Sequence, residues 1–388
     1  MARMAASPGQ SVASLLSGLR EQQDAMTAHL AELVEAETPS ADRPACEAGA
    51  ATVAAIAGSV LGDAGELVLA GGRPHLRWRW RAEPGRPPVV LIGHFDTVWP
   101  LGTLARWPFS VDTAAGTATG PGCFDMKAGI VQLLHAVAVL GDRAGIEILL
   151  TSDEEIGSPA SRPLIEEAAR RATAAMILEP SALGKVKIMR KGTGFYQLAV
   201  TGRAAHAGLE PEKGANALIA LAELIGRLTA IARPELGTSV TPTVAAAGTA
   251  ANVVPAGAHA DIDVRVADPA EASRVDAELR ALTTTVPGTR LTVSGGPNRP
   301  PMPRQATEAL FGVARAAAAD LGLPPLAGTA VGGGSDGNFT AAAGCPTLDG
   351  LGAVGDGAHA EGEYVLLAAM PERAALLAAL IGRLRTGS

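Results

Sequence analysis

The stretch Pro87-Pro-Val-Val-Leu-Ile-Gly-His94 decides the fold class of this chain. Its short apolar run, rich in β-branched residues, predicts a buried strand that ends at His94. Two later runs have the same character, Ile146-Glu-Ile-Leu-Leu-Thr151 and Ala174-Ala-Met-Ile-Leu178. Polar residues follow each run, and in an open α/β sheet the functional crevice lies at the carboxyl ends of the strands. We therefore expect an α/β fold with a site at that edge.

The polar residues after these strands belong to an ordered set of acids and histidines. Each motif alone is more typical of a turn or a surface loop, since isolated motif matches carry a high false-positive rate. Together they place several acids directly after hydrophobic runs, where burial without a cation would be costly. Carboxylates with two imidazoles suit a pair of divalent cations, zinc before others. In chain order the set is His94, Asp96, Asp125, Glu154, Glu155, Glu179 and His359.

The composition of the 388-residue chain argues against several classes of protein. Its length suggests two or three domains, and its net charge of −7 argues against a nucleic-acid-binding surface. The three cysteines are widely spaced, which fits a reducing compartment better than a disulfide framework. We find no signal peptide and no apolar run long enough to span a membrane. We therefore expect a cytoplasmic protein without nucleic-acid or membrane partners.

The middle of the chain has a different pattern from its two flanks. Alternating and helical segments follow one another in the order β-α-β-β-α-β, which is that of a ferredoxin-like domain. Because His359 lies beyond these segments, the domain interrupts the metal-binding one. The six segments are residues 195–202, 215–231, 242–248, 259–266, 269–282 and 290–294.

The motifs resemble those of the co-catalytic dizinc exopeptidase and deacylase family. This family includes glutamate carboxypeptidase, to which the likeness is strongest, acetylornithine deacetylase and succinyl-diaminopimelate desuccinylase. Besides the acids and histidines, the likeness rests on Gly332-Gly-Gly-Ser-Asp-Gly337 and on Thr201-Gly-Arg-Ala-Ala-His206. It covers almost the whole chain.

The resemblance also implies a domain organisation. A metal-binding catalytic domain, with a mainly parallel sheet flanked by helices, would comprise residues 1–192 and 302–388. An inserted ferredoxin-like α+β domain, the lid and dimerisation domain, would comprise residues 193–301. The protein would therefore be a homodimer.

The resemblance assigns five metal ligands. His94 and Glu179 would complete one site, Glu155 and His359 the other, and Asp125 would bridge both. Each subunit would hold two Zn²⁺, with cobalt as a substitute. Two cations about 3.5–4 Å apart hold and acidify a bridging water.

Further residues would support this centre. Asp96 would accept the second ring N–H of His94 and fix its orientation. Glu154 would be the general base that takes the proton of the water and passes it to the leaving amine. The family has a cis peptide bond at the position of Asp125–Met126. Cys123 is interpreted as a small buried filler rather than a ligand.

On the substrate side, the resemblance gives His206 a role that spacing alone would not. It would reach the active site of the partner subunit and stabilise the oxyanion. Asn252 and Arg265 match positions that hold the substrate carboxylate, although a salt bridge within the strand is the plain alternative for Arg265. Gly333 and Gly334 would let backbone amides approach the substrate closely.

Two basic residues, Lys187 and Arg299, match positions that bind the glutamate side chain in glutamate carboxypeptidase. Lys187 lies in a basic segment with Lys185, Arg190 and Lys191, so a basic strand face is the alternative.

These residues and the resemblance predict a dizinc amidohydrolase, a metallo-carboxypeptidase. It would hydrolyse the amide bond to a C-terminal amino acid, glutamate in first place, of a small N-acyl or short peptidyl substrate with a free carboxylate. One alternative is an N-acyl-amino-acid deacylase of the acetylornithine deacetylase type, which shares every ligand. An alternative of another class is a non-catalytic binding protein on the same fold, which should lack a ligand or the base.

Overall fold

The computed structural model describes residues 12–386, which form two compact units. The first unit comprises residues up to 189, 304–330 and those from 335 on, and the second comprises 190–303 and 331–334. The predicted boundaries differ from these by two or three residues at each end of the insertion. They differ further at the glycine-rich stretch 331–334, which lies with the second unit rather than with the first.

Ten α-helices and sixteen strands occur within the described residues. The helices are α1 (Val12–Arg20), α2 (Gln23–Glu35), α3 (Arg43–Leu61), α4 (Ala128–Ala138), α5 (Arg162–Arg171), α6 (Ala217–Ile231), α7 (Pro269–Arg280), α8 (Glu308–Asp320), α9 (Asp336–Ala342) and α10 (Ala369–Thr386). The strands are β1 (Glu66–Ala70), β2 (Arg73–Arg79), β3 (Val89–His94), β4 (Ser110–Asp112), β5 (Thr117–Thr119), β6 (Ile146–Thr151), β7 (Ala174–Ile177), β8 (Val186–Arg190), β9 (Gly192–Thr201), β10 (Ser239–Ala247), β11 (Gly257–Val266), β12 (Arg290–Arg299), β13 (Gly328–Val331), β14 (Thr347–Leu348), β15 (Gly355–Asp356) and β16 (Tyr364–Leu366).

A six-stranded sheet organises the first unit. Its order is β1-β2-β6-β3-β7-β14, parallel from β6 to β14 and antiparallel at β1 and β2. Every residue of β3, β6 and β7 is buried. Strands of a parallel sheet that is covered on both faces have this continuous apolar character. The predicted α/β fold with a mainly parallel sheet is confirmed.

Helices cover both faces of this sheet, as the alternation along β3 shows. Leu91 belongs to a large hydrophobic cluster that includes residues of α3, α4 and α10. Its neighbours Val90 and Ile92 belong to a second cluster, together with residues of α5 and α9. Successive side chains of a strand point to opposite faces, so β3 is fixed between two helical layers. This position makes the end of β3 a rigid support for a site.

Helix α3 bears on the expectation that no segment is long enough to span a membrane. By length and composition alone, its 19 residues are enough to cross a membrane. However, Cys46, Val53, Ile56 and other residues of the helix are buried in the large cluster of the first unit. We interpret α3 as a core helix of this unit.

The second unit contains a four-stranded antiparallel sheet with the order β10-β11-β9-β12. The chain order β9-α6-β10-β11-α7-β12 confirms the predicted ferredoxin-like pattern. Apolar residues of α6 and α7, among them Leu224 and Val275, pack with the inner face of the sheet. Pro242 lies in the edge strand β10, beside a register shift, where a missing backbone N–H is tolerated.

The chain enters and leaves the second unit at adjacent positions. The backbone N–H of Arg190 donates to the carbonyl of Met302, and that of Met302 donates to the carbonyl of Arg190, at 3.0 Å each.

Candidate metal centre

Three neighbouring strands of the first unit end at the candidate site. His94 is the last residue of β3, Glu154 begins a short 3₁₀ turn (Glu154–Ile156) after β6, and Glu179 follows β7. Because these strands are parallel, their carboxyl ends meet at one edge of the sheet. The structure therefore brings together the residues that the sequence analysis placed at the strand ends.

Asp125 lies between the two histidines. Its Oδ1 is 3.4 Å from Nε2 of His94, and its Oδ2 is 3.4 Å from Nε2 of His359. One further carboxylate flanks each ring: Glu179 Oε1 is 3.6 Å from His94 Nε2, and Glu155 Oε2 is 3.1 Å from His359 Nε2. Each half of the cluster thus contains one imidazole, one carboxylate of its own and one oxygen of Asp125.

These residues fit a pair of divalent cations. Ligand atoms around a tetrahedral ion with bonds of 2.0–2.2 Å are roughly 3.3 Å apart, which is close to the separations in the cluster. Three buried atoms of residues in the cluster, all in the described part of the chain, have no hydrogen-bond partner: His94 Nε2, Asp125 Oδ1 and Glu155 Oε1. Buried polar atoms are rarely left unsatisfied without an ion or water. The donor set suits zinc but does not fix the identity of the metal.

The backbone around Asp125 is shaped for this position. The segment Cys123–Lys127 is kinked, with non-helical dihedral angles at Asp125 and Met126, and the peptide bond between these two residues is cis. Cys123 is fully buried, with its Sγ near the carbonyls of Ala118 and Glu363. Its thiol therefore faces backbone carbonyls, in keeping with the interpretation as a filler.

Asp96 connects His94 with the turn that carries the two glutamates. Its carboxylate accepts hydrogen bonds from Ser40 Oγ at 2.6 Å and from the backbone N–H groups of Glu154 and Glu155 at 3.2 Å each. The backbone carbonyl oxygen of Asp96 is 3.0 Å from Nδ1 of His94, whereas Oδ1 of Asp96 is 3.5 Å from the same nitrogen. The carboxylate of Asp96 thus lies near Nδ1 of His94, but its main-chain carbonyl is the closer acceptor. The role of Asp96 in orienting His94 stays a prediction.

Glu154 lies next to the cluster, on the side of His94 and Glu179. It is buried, and a carboxylate oxygen of Glu154 lies within 4.8 Å of ligand atoms of His94 and Glu179. Its neighbour Glu155 faces His359 instead. Both adjacent glutamates thus border the centre, Glu154 beside His94 and Glu179 and Glu155 beside His94 and Asp125. The division between base and ligand stays a prediction.

The carboxylates control the protonation of both imidazoles in the metal-free site. Asp125, followed by Glu155, raises the pKa of His359 to about 11. Burial opposes charge on His94, but Asp125, Asp96 and Glu179 outweigh it and hold its pKa well above the ordinary value. Both rings would have to lose a proton to bind a cation, so metal binding competes with protons here.

His359 is held by backbone geometry that the sequence did not reveal. It lies in the loop between β15 and β16 with a φ of 62°, in the left-handed region that non-glycine residues seldom occupy. Its side chain is 52% exposed. Residues held in this region persist where the surrounding structure supports them, and such positions cluster at functional sites.

Two buried charged groups near the centre were missed by the sequence analysis. Burial lowers the pKa of Lys127 to about 8, and its Nζ donates to the carbonyl of Ala36 at 3.1 Å. Burial and then Asp125 raise the pKa of Glu363 to about 8. The sequence indicates them only by their closeness to predicted metal ligands. Lys127 is two residues from Asp125, and Glu363 is four residues from His359.

In the second unit, His206 and Asn252 lie on adjacent backbone segments, where the N–H of Ala207 donates to the carbonyl of Asn252 at 2.9 Å. His206 is exposed, and its Nδ1 accepts from the N–H groups of Gly208 at 3.1 Å and Leu209 at 3.2 Å. With Nδ1 as the acceptor, the neutral ring carries its proton on Nε2. His206 therefore presents an N–H donor to its surroundings.

The other predicted substrate residues are dispersed. Arg265 makes a bidentate ion pair with Asp263 at 2.7 and 2.8 Å. The salt bridge within the strand, which was the alternative to carboxylate binding by this residue, is therefore present. The carbonyls of Gly333 and Gly334 accept from Arg190 Nη1 at 3.1 Å each. The sequence analysis did not single out this buried arginine.

Of the two basic residues assigned to the glutamate side chain, Lys187 lies in the first unit. Its Nζ is 3.7 Å from Glu179 Oε2. Arg299 is buried in the second unit, with its Nη1 donating to Asn298 Oδ1 at 3.3 Å. Roles for both towards a substrate stay predictions.

A parallel-sheet α/β fold with two imidazoles and four carboxylates at its carboxyl edge defines a metal-dependent hydrolase. The chain belongs to the peptidase family M20/M25/M40, whose sequence profile matches residues 90–383. This span includes all five predicted metal ligands, Glu154 and the whole second unit.

Curated relatives support the same class. The chain is 33% identical over 314 residues to carboxypeptidase G2 of a Pseudomonas species, covering 77% of this chain and 74% of the relative. It is 34% identical over 327 residues to a succinyl-diaminopimelate desuccinylase of Methylobacterium radiotolerans, covering 76% and 80%. As a member of the M20/M25/M40 family with these relatives, the chain is a metallopeptidase or amidohydrolase.

Solved structures agree at the level of the fold. An M20 family metallo-carboxypeptidase from Sulfolobus solfataricus matches with a TM-score of 0.74 at 15% identity, covering 94% of this chain and 99% of that one. A dinuclear metal-binding M20 peptidase from Bacillus subtilis matches with a TM-score of 0.63 at 14% identity, covering 96% and 99%.

Proposed function

We propose that this protein is a homodimeric dizinc carboxypeptidase that hydrolyses the amide bond to a C-terminal glutamate of an N-acyl or short peptidyl substrate. The observation that carries the proposal is the position of Asp125, whose two oxygens each face a different imidazole. A carboxylate in this position suits a bridging ligand, with His94 and Glu179 on one side and Glu155 and His359 on the other. The native metal is proposed to be zinc, with cobalt as a substitute.

Two bound cations would supply Lewis-acid polarisation of the scissile carbonyl and acidification of a water. The remaining steps belong to the protein. Glu154 would take a proton from the attacking water and later deliver it to the leaving amine, which typically contributes about 10²–10⁴-fold to the rate. Asp96 would hold the backbone of Glu154 and the ring of His94 in place. Because Asp96, Ser40 and Glu154 are buried in the first unit, this arrangement would be rigid.

The carboxylate of the leaving amino acid needs a cationic or amide partner. Lys187, 3.7 Å from Glu179, places a positive charge at one end of the cluster. We propose that this lysine, together with Arg299, favours glutamate over neutral amino acids. Asn252, Arg265, Gly333 and Gly334 are proposed to hold the α-carboxylate, although Arg265 would have to share its guanidinium with Asp263.

His206 is proposed to stabilise the oxyanion in the active site of the partner subunit. The acceptor role of its Nδ1 supports this, since it leaves Nε2 as an N–H donor without requiring a positive charge. A dimer that completes each site would use the second unit as the contact domain. A cytoplasmic location is also proposed, because all three cysteines are free and buried.

A second candidate is a deacylase of the desuccinylase or acetylornithine deacetylase type. The 34% identity to a desuccinylase supports it, beside the 33% identity to a carboxypeptidase. The two candidates share the metal centre and differ in the amino acid released. The non-catalytic alternative lacks support, since all five ligands and Glu154 are present in a family of hydrolases.

The deciding experiment is a hydrolysis screen of zinc-loaded protein. Substrates with one acyl group and varied amino acids (glutamate, ornithine, diaminopimelate, alanine) should show release of glutamate with the highest kcat/KM. Glu154→Gln serves as the matched control and should lose turnover while retaining two metal ions by elemental analysis. Preference for ornithine or diaminopimelate would favour the deacylase, and equal rates in Glu154→Gln would exclude Glu154 as the base.

A further inference from the structure

Arg373, in α10, is a buried arginine that does not belong to the candidate metal centre. Its side chain donates to three backbone carbonyls: Nε to Gly352 at 3.1 Å, Nη1 to Gly184 at 3.4 Å, and Nη2 to Gly350. Burial lowers its pKa to about 10, so the guanidinium stays charged at neutral pH. A buried charge is costly unless it is hydrogen-bonded, so these three bonds tie two loops of the first unit firmly to α10.

Two of the three carbonyls belong to residues 350–352, which continue the edge strand β14 beside the end of β7. The two strands pair in parallel. Beyond them, the N–H of Leu351 donates to the carbonyl of Ile177 at 3.2 Å, and that of Gly352 donates to the carbonyl of Glu179 at 2.9 Å. The 350–352 segment therefore lies directly against the backbone of Glu179, a predicted metal ligand.

The backbone at Glu179 is enclosed on both sides. On one side, the N–H of Leu178 donates to the carbonyl of Ile92 in β3 at 2.9 Å. On the other side, a Cβ atom at Gly352 would lie 2.1 Å from the carbonyl oxygen of Leu178 and 2.9 Å from that of Glu179. Glycine permits this close approach of two backbones. The place of Glu179 thus depends on how closely the 350–352 segment is held.

We propose that Arg373 is a positioning residue for Glu179: it presses the 350–352 segment against the end of β7 and thereby fixes the Glu179 carboxylate beside His94. The inference rests on the proposed function, in which these two residues bind one of the two metal ions. Glu179 Oε1 is 3.6 Å from His94 Nε2, and ligand geometry around a tetrahedral ion tolerates little change. Loss of Arg373 should therefore weaken that ion.

The other half of the centre has separate anchors. The carbonyl of Ala353 accepts from the backbone N–H of Ser181 at 2.8 Å and from its Oγ at 2.9 Å. Further along the chain, Gly355 of β15 pairs with Val365 of β16. These contacts lie between the 350–352 segment and His359. We therefore expect the second ion to be held almost as well without Arg373.

The shape of the side chain explains why arginine suits this position. Its planar guanidinium carries five N–H donors, and here it reaches carbonyls of two different loops, at Gly184 and at residues 350–352. A lysine has a single nitrogen at the end of its chain and cannot span both. Arg373→Lys should therefore restore only part of the function of this residue, and Arg373→Met should restore none.

The test measures the affinity of each of the two zinc ions by chelator competition, in the unsubstituted protein and in Arg373→Met. One ion should bind at least about 10-fold more weakly in the variant, the loss typical of a residue that orients a metal ligand. The affinity of the other ion should stay the same. Arg373→Lys should give a smaller loss at the same ion, and it keeps the test possible if Arg373→Met does not fold.

Arg143→Met is the matched control, and a double-mutant cycle identifies the weakened ion. Arg143 also donates to backbone carbonyls, of Leu61 at 2.7 Å and of Val137 at 3.3 Å, so its loss should lower the melting temperature without changing the affinity of either ion. Glu179→Ala removes the ligand itself, so adding Arg373→Met to it should cause no further loss. Added to Glu155→Ala, the same substitution should still weaken the remaining ion.

The outcomes separate this inference from the proposed function. Unchanged binding of both ions, equal weakening of both, an equal effect of Arg143→Met, or a further loss on top of Glu179→Ala would overturn the inference alone. Selective weakening of one ion in a protein that releases no glutamate would overturn the proposed function alone. Fewer than two zinc ions in the unsubstituted protein would overturn both.

Discussion

Replacing Asp96 by asparagine removes the connection between His94 and the two adjacent glutamates. Oδ1 of Asp96 accepts the N–H of Glu154, and Oδ2 accepts the N–H of Glu155 and the hydroxyl of Ser40. Asparagine offers only one acceptor oxygen, so in either orientation one backbone N–H would face an amide NH₂ group. An unsatisfied buried donor costs about 1–3 kcal/mol, and the free energy of unfolding of the metal-free protein should fall by this amount.

The affinity of the site for metal should fall as well. Loss of a partner that orients a ligand typically weakens metal affinity by about 10–100-fold. Asp96→Asn should retain part of this affinity, because Nδ1 of His94 still faces the backbone carbonyl of residue 96. Chelator competition measures the affinity, and thermal unfolding of the metal-free protein measures the stability.

Asp153→Asn provides a matched control for this experiment. Asp153 is equally buried, and its Oδ2 accepts the N–H groups of Ala160 and Ser161. The backbone N–H groups of Glu154 and Glu155 donate to Asp96 rather than to Asp153. The control should lose stability and keep its metal affinity. The reasoning fails if Asp96→Asn binds metal as tightly as the unsubstituted protein, or if Asp153→Asn weakens metal binding to the same extent.

Three further predictions concern protons, packing and assembly. The raised pKa of His359, about 11, contributes stability to the metal-free protein that is complete below the ordinary histidine pKa and is lost as pH rises through about 11. Metal must displace that proton, so apparent affinity should rise from about pH 6 to about pH 9; calorimetry in buffers of different ionisation enthalpy should detect proton release, and its absence at neutral pH would contradict the assignment. Leu91→Ala should lower the free energy of unfolding by about 2–5 kcal/mol in denaturant titrations, since Leu91 is fully buried, whereas Leu67→Ala at an exposed position should change it by less than about 0.5 kcal/mol. Mixing Glu154→Ala with His206→Ala under subunit exchange should restore activity, towards about half the wild-type rate per mixed dimer; demonstrated exchange without recovery would show that His206 does not act in the partner's site.

Much of the first unit could be predicted because its strands have strong local signals. The strands predicted to end at or near His94, Glu154 and Glu179 are β3, β6 and β7, and their carboxyl ends meet as expected. The alternation of apolar and polar residues in 195–202 likewise identified β9, one of the two inner strands of the second unit. Continuous apolar runs and strict alternation survive folding because burial on two faces or on one face dictates them.

Features that depend on contacts between distant segments could not be predicted in the same way. The closer acceptor for His94 is a main-chain carbonyl, which no side-chain motif encodes. The glycines at 332–334 lack any periodicity, so the sequence did not reveal that residues 331–334 lie with the second unit. No local pattern indicated that Lys127 is buried, with its ammonium group donating to the carbonyl of Ala36, a residue distant in the chain. Such positions are decided by tertiary packing rather than by local pattern.

The paired backbone of Arg190 and Met302 has a consequence for the modularity of this protein. Since the inserted segment begins and ends at neighbouring points, its removal would leave a gap that a short turn can close. A shortened chain joined there would keep β3, β6, β7 and the loop that carries His359. Such a protein would show whether the metal centre assembles on the sheet alone. The same junction is suited to the insertion of a different domain.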